Sequence, residues 1–88
     1  MMEQKLRNLI QECTQNRVMG ADIQLDQPVD VDGSSTGGGV EIDSIELVEL
    51  LTGIEELTGA DPDTVIGAVR DAPTFAELCS RVEALAGG

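Results

Sequence analysis

Residues 40–59 read VEIDSIELVELLTGIEELTG, and the order of apolar and acidic residues in them decides the fold class. On a wheel of about 100° per residue, Leu47, Leu50, Leu51, Ile54 and Leu57 fall together, as the buried face of an amphipathic helix must. Ile45, Glu49, Thr52 and Glu56 fall opposite, with Val48 and Glu55 on one flank, so an apolar residue among acids is expected to meet water at Ile45. The helix opens at Asp43 or Ser44. Asp43 can cap it, and Glu46 three residues on completes a capping-box pattern. A stop near Thr58 is expected, because Gly59 can take the left-handed conformation that ends helices.

The flanking segments repeat the helical period. Leu6, Leu9, Ile10 and Cys13 recur at helical spacing, which predicts a first helix of about three turns with Glu3, Lys5, Arg7, Asn8 and Glu12 facing water. Between Gly20 and Gly39 the period disappears, and LDQPVDVDGSSTGGG predicts a long loop. Leu25, Val29 and Val31 are expected to pin that loop to the core, leaving a mobile tip over residues 34–39. Asp61 and Pro62 start a short third helix buried through Val65, Ile66 and Val69. After Pro73, Thr74 and Glu77 form a second capping box, and Phe75, Leu78, Cys79, Val82 and Leu85 line a last helix. No segment alternates well enough to predict a strand. The expected fold is all-α, with three main helices, a short third one and a long first loop, in a single domain over residues 1–88.

Composition narrows the function. With 88 residues there is room for one modest core, so a site must lie on the surface. Histidine, tryptophan and tyrosine are absent and Phe75 is the sole aromatic, which removes the usual acid–base group at neutral pH and argues against catalysis. Seventeen acidic residues against five basic ones give a net charge of −12, which disfavours nucleic acid and anionic membranes and favours basic partner surfaces. A hydrophobic content of 41% argues against disorder. Cys13 and Cys79 match neither a zinc spacing nor a redox motif and read as buried thiols. Charges are threaded through the N-terminal segment and no apolar run is long enough to span a bilayer, so a cytoplasmic protein is expected.

Two other chemistries can be weighed. Asp30, Asp32, Ser34 and Glu41 occupy positions 1, 3, 5 and 12 of a calcium-binding EF-hand loop, but Ser35 stands where that loop needs glycine and no helix enters it. A solvated acidic loop explains these residues better, and no metal is expected. The terminal Gly87-Gly88 pair resembles the end of ubiquitin-like carriers. Those folds wrap strands around a helix, whereas this chain reads as helical to Leu85, so a frayed end is expected.

The stretch DSIELVELL over residues 43–51, followed by TGIEELTG over residues 52–59, resembles the second helix of acyl carrier proteins. In that family a serine in an Asp-Ser-Leu/Ile signature carries 4′-phosphopantetheine. The likeness covers nearly the whole chain: an amphipathic first helix, a long loop, the signature, a short third helix and a final helix entered through APTFAEL. It implies that Ser44 is the attachment site with Asp43 as its acidic neighbour, and that Ile45, Glu46, Val48, Glu49, Thr52, Glu55 and Glu56 form a partner-facing strip. It also implies an arm drawn from coenzyme A by a phosphopantetheinyl transferase. Further partners would be acyltransferases, ketosynthases and other basic-surfaced enzymes of fatty acid or polyketide synthesis. Two departures stand out: TGGGVEI replaces the family's Asp-x-Leu-Gly turn, and Thr52 stands where many members carry methionine.

The resemblance leads to the expectation of a free-standing, monomeric acyl carrier without catalysis of its own. One alternative is a peptidyl or aminoacyl carrier; strong acidity, and Asp43 in place of the Gly-Gly-His/Asp run common in those carriers, favours acyl cargo. An alternative of another class is a calcium-binding or structural helical module.

Overall fold

The computed structural model describes residues 2–31 and 39–87. The expected loop tip over residues 34–39 lies outside them except for Gly39, as do Asp32, Ser34 and Ser35 of the calcium reading and the terminal Gly88. Four α-helices account for most of the described residues: α1 (Met2–Cys13), α2 (Ser44–Thr58), α3 (Pro62–Asp71) and α4 (Phe75–Gly87). A single 3-10 turn over Gly20–Asp22 and two short strands, β1 (Val29–Asp30) and β2 (Val40–Glu41), occupy the long connection.

One hydrophobic cluster joins the four helices and both strands. Leu6, Ile10, Leu50, Ile54, Val65, Phe75, Leu78 and Val82 have no exposed surface, so each helix contributes the stripe its sequence period predicts. At about 25 cal/mol per Å² of apolar area, burial of this stripe is the main stabilising term. Leu9, Leu51 and Leu85 pack half-buried against it, Ile66 is half-buried, and Leu57 is exposed. Helix α2 stops at Gly59, which adopts φ 74° and donates its N–H to the Glu55 carbonyl at 2.7 Å. Helix α3 begins with Pro62 after Asp61, whose carboxylate accepts from the Thr64 hydroxyl. At α4 only half of the expected box forms: Glu77 N–H donates to Thr74 Oγ1 at 3.2 Å, while the Glu77 carboxylate pairs with Arg81. Helix α4 also continues past Leu85 to Gly87.

The long connection departs most from expectation. Val29 pairs with Val40 and Asp30 with Glu41 in a parallel register, with Val40 N–H donating to the Pro28 carbonyl and Ile42 N–H to that of Asp30, both at 2.8 Å. Val29 and Val31 are buried, and so are Val40 and Ile42, with Asp30 and Glu41 between them. Both trios alternate, but three residues are too few to raise a period above chance. Leu25 does not pin the loop by its side chain, which is 47% exposed. Its backbone does so instead: the Leu25 carbonyl accepts from Ala76 N–H at 2.8 Å and the Gln27 carbonyl from Phe75 N–H at 2.9 Å, which satisfies two orphan donors of α4. Ile23 takes the buried place, at 3% exposure.

Arg7 also departs from the expected exposed face. Its Nη1 donates to the carbonyls of Gly20 at 2.7 Å and Ile23 at 2.6 Å, Nε donates to Glu3 at 3.0 Å, and the guanidinium lies 5.1 Å from the Phe75 ring centroid. A helical wheel cannot distinguish a solvated arginine from one whose stem lies along the core while its head bonds to backbone. This packing brings the turn against α1 so closely that a Cβ on Gly20 would sit 2.5 Å from the Arg7 carbonyl oxygen. A Cβ on Gly53 of α2 would also meet a close neighbour, but there it is the Leu9 Cδ1 methyl, at the end of a rotatable side chain. Gly20→Ala is therefore expected to cost about 1–3 kcal/mol in urea unfolding, and Gly53→Ala distinctly less. Equal costs would show that the backbone contact at Gly20 gives way as easily as a leucine side chain.

Candidate functional site at the start of helix α2

The N-terminus of α2 is set by a reciprocal cap. Asp43 is in extended conformation, its Oδ1 accepts from Glu46 N–H at 2.8 Å, and Glu46 Oε1 accepts from Asp43 N–H at 3.1 Å. Helix hydrogen bonding starts with Leu47 N–H donating to the Asp43 carbonyl at 2.8 Å. Of the two openings the sequence allows, Asp43 is thus the cap and Ser44 the first helical residue. Because the cap uses Asp43 and Glu46, the Ser44 hydroxyl is left over. Ser44 is exposed, and its hydroxyl makes no hydrogen bond among the described residues. The N–H groups of Ser44 and Ile45 likewise have no intramolecular partner among them. Two free donors at the positive end of a fifteen-residue helix favour an anion on the neighbouring oxygen.

Arg17 closes the site from the side. Following α1, Gln15 and Asn16 take positive φ values of 53° and 67°, and this left-handed turn carries the chain towards α2. Arg17 Nη2 then donates to the Glu41 carbonyl at 2.7 Å and to Glu46 Oε1 at 2.5 Å, with Nε 3.4 Å from Glu46 Oε2. The hydrogen bond to the Glu46 carboxylate raises the Arg17 pKa above its ordinary value. Nothing in the spacing of Arg17 in the sequence marks it as part of this site, since the contact spans twenty-nine residues.

Along α2 the strip divides. Ile45 is 75% and Val48 62% exposed, the two most exposed large hydrophobics described, and Glu49, Thr52 and Glu56 are exposed beside them. Glu55 is half-buried. The Thr52 hydroxyl is turned back onto the Val48 carbonyl at 3.0 Å. Glu46 differs from its neighbours: its carboxylate is spent on the cap and on Arg17, and its side chain is only 13% exposed. Of the residues weighed as a calcium loop, Asp30 and Glu41 oppose each other across β1 and β2. No cluster of three or more histidine, cysteine, aspartate or glutamate residues suited to a metal occurs among the described residues. Among the described residues no helix is long and apolar enough to cross a membrane.

Both thiols are buried and unpaired. Burial pushes Cys13 up to about 11, helped by the Glu46 and Glu49 carboxylates, and burial with Glu3 does the same to Cys79. Against an ordinary 9.0, a rise of two units lowers the thiolate fraction at neutral pH roughly a hundredfold. Native protein at pH 7.5 is therefore expected to react with a disulfide reagent at least about a hundred times more slowly than protein in urea. The sign for stability follows from the same values. The fold favours the neutral thiol, so this contribution is complete below pH 9 and is lost as pH rises from 9 through 11. Thiols that react equally fast in both states would show that the helices open around them.

No protein-family model, curated protein or solved structure matches the chain.

Proposed function

We propose that this chain is an acyl carrier, a four-helix carrier domain over residues 1–88 that holds acyl intermediates as thioesters on a 4′-phosphopantetheine arm attached to Ser44. The observation that carries this reading is the exposed Ser44 hydroxyl, without a hydrogen bond among the described residues, on the first turn of a helix capped by other residues. In the loading step Ser44 Oγ attacks the phosphorus that bears pantetheine in coenzyme A. The Oγ–P bond forms, the P–O bond to the 3′-phosphorylated adenosine monophosphate breaks, and the hydroxyl proton passes to a base of the transferase. A phosphodiester then stands where the Ser44 and Ile45 N–H groups and the helix dipole favour negative charge. Once attached, the arm supplies the thiol that carries the acyl group, so the protein needs no reactive side chain of its own. Its role is to present cargo to successive enzymes at high effective concentration.

The exposed Ile45 and Val48 bordered by Glu49 and Glu56 support the second half of the reading, a docking surface for basic partners: a phosphopantetheinyl transferase, then acyltransferases, ketosynthases or related enzymes of fatty acid or polyketide synthesis. Such a surface is steered by charge and held by apolar contact. A monomer acting in the cytoplasm, with no nucleic acid or membrane partner, is consistent with the acidic surface. Incubation with coenzyme A and a broad-specificity phosphopantetheinyl transferase, followed by intact-mass measurement, tests the proposal. One added phosphopantetheine is expected; an unchanged mass would refute it.

A further inference from the structure

The Ser44 hydroxyl makes no hydrogen bond among the described residues, so the residues around it decide where that oxygen sits. First helical turns fray most readily. Here the turn is held from three sides. Ile42 before it is buried and donates its N–H to the Asp30 carbonyl, the reciprocal cap joins Asp43 to Glu46, and Arg17 spans the two limbs by bonding the Glu41 carbonyl and the Glu46 carboxylate. A single oxygen, Glu46 Oε1, accepts from both Arg17 Nη2 and Asp43 N–H, so Arg17 fixes the rotamer that the cap needs. Of the five basic residues, Arg17 alone pairs with this turn among the described residues, and the Asp43 and Glu41 charges act on it as well.

The segment that delivers this guanidinium is itself constrained. Gln15 and Asn16 hold left-handed backbone, which is unfavourable for residues with a side chain and persists only where the surroundings impose it. Asn16 N–H donates to the Gln11 carbonyl at 2.8 Å and Arg17 N–H to that of Thr14 at 3.1 Å. Buried Thr14 braces both sides, its hydroxyl donating to the Ile10 carbonyl at 2.8 Å and accepting from Val18 N–H at 3.2 Å. An ion pair whose arginine is 48% exposed adds little to stability, so this arrangement contributes more to geometry than to folding energy.

Resting on the reading of Ser44 as the attachment residue, we infer that Arg17 is a positioning residue for arm transfer, acting through Glu46 and the Glu41 carbonyl to hold the turn that presents the Ser44 hydroxyl to the transferase. A role for its charge alone would give the opposite sign. Removing a cation from an acidic face makes that face a better match for a basic partner and strengthens docking. Removing a clamp leaves docking intact and misplaces the attacking oxygen, and a misplacement of about 1 Å can cost about a hundredfold in rate.

Steady-state loading of Arg17→Ala from coenzyme A by a broad-specificity phosphopantetheinyl transferase, followed by intact mass, separates the two. The kcat is expected to fall roughly tenfold while KM for the carrier stays the same or drops. Arg17→Lys keeps the charge but lacks the planar fork that holds two acceptors, so it should recover only part of the loss. Gly20→Ala, destabilised away from the site, is the control for stability alone and should load at the native rate under conditions where each variant is folded. The clamp also has a readout that needs no arm: the Asp43 amide, whose acceptor is Glu46 Oε1, should lose its protection from solvent exchange in Arg17→Ala. An unchanged or raised kcat in Arg17→Ala, an equal fall in Gly20→Ala, or unaltered exchange at Asp43 would overturn the positioning role while leaving Ser44 as the attachment site. Native protein that gains no mass would overturn both.

Discussion

Ser44→Ala is expected to fold normally and to accept no phosphopantetheine at all. The substitution removes the hydroxyl proposed as the attachment point without touching what builds the helix start, because the cap runs between Asp43 and Glu46 and the Ser44 hydroxyl takes no part. Alanine is also the best helix former, so the change at an exposed first-turn position should alter stability by less than about 0.5 kcal/mol. Asp43→Ala is the informative contrast. It keeps the hydroxyl but removes the acceptor for Glu46 N–H, and loss of such a cap costs about 1 kcal/mol. The readouts are intact mass after incubation with the transferase and urea unfolding of each variant. Mass gain on Ser44→Ala would move the attachment to another residue; normal stability of Asp43→Ala would show that the cap contributes nothing to α2.

The charge reversals Glu49→Lys and Glu56→Lys are expected to slow association with a basic partner by roughly tenfold each at low ionic strength, and about a hundredfold when combined. Both carboxylates lie on the exposed side of α2, flanking Ile45 and Val48, and neither makes an ion pair within the chain among the described residues. Their field is therefore available to steer a partner over a Debye length of about 8–10 Å, and salt should erase most of the difference. Glu46→Lys is predicted to behave differently. Its carboxylate already neutralises Arg17 and completes the cap, so reversal should lower stability as well as binding. Ile45→Ala should leave association nearly unchanged and speed dissociation, since it removes contact area and no charge. Stopped-flow binding to a phosphopantetheinyl transferase at two salt concentrations separates these effects. Rates that ignore both salt and the reversals would place recognition on another face of the protein.

Helix α2 was legible from residues 43–59 alone, because its cap, apolar stripe, exposed Ile45 and terminal Gly59 are all local: each depends on residues within a turn or two of one another. The positions of the other three helices were legible for the same reason, though their caps and edges were not: only half of the box at α4 forms, and Arg7 leaves the exposed face of α1. What tertiary structure decided is the surroundings of that serine. Arg17 reaches Glu46 across twenty-nine residues, Val29 of β1 pairs with Val40 of β2, and Arg7 folds over Phe75 from the far end of the chain. Periodicity carries no information about contacts at such separation. Leu25 shows the limit most clearly: apolar by composition, it holds the connection through its carbonyl and leaves its side chain about half exposed, because the Ala76 N–H, like that of Phe75 at the Gln27 carbonyl, needed an acceptor that no residue of α4 could supply.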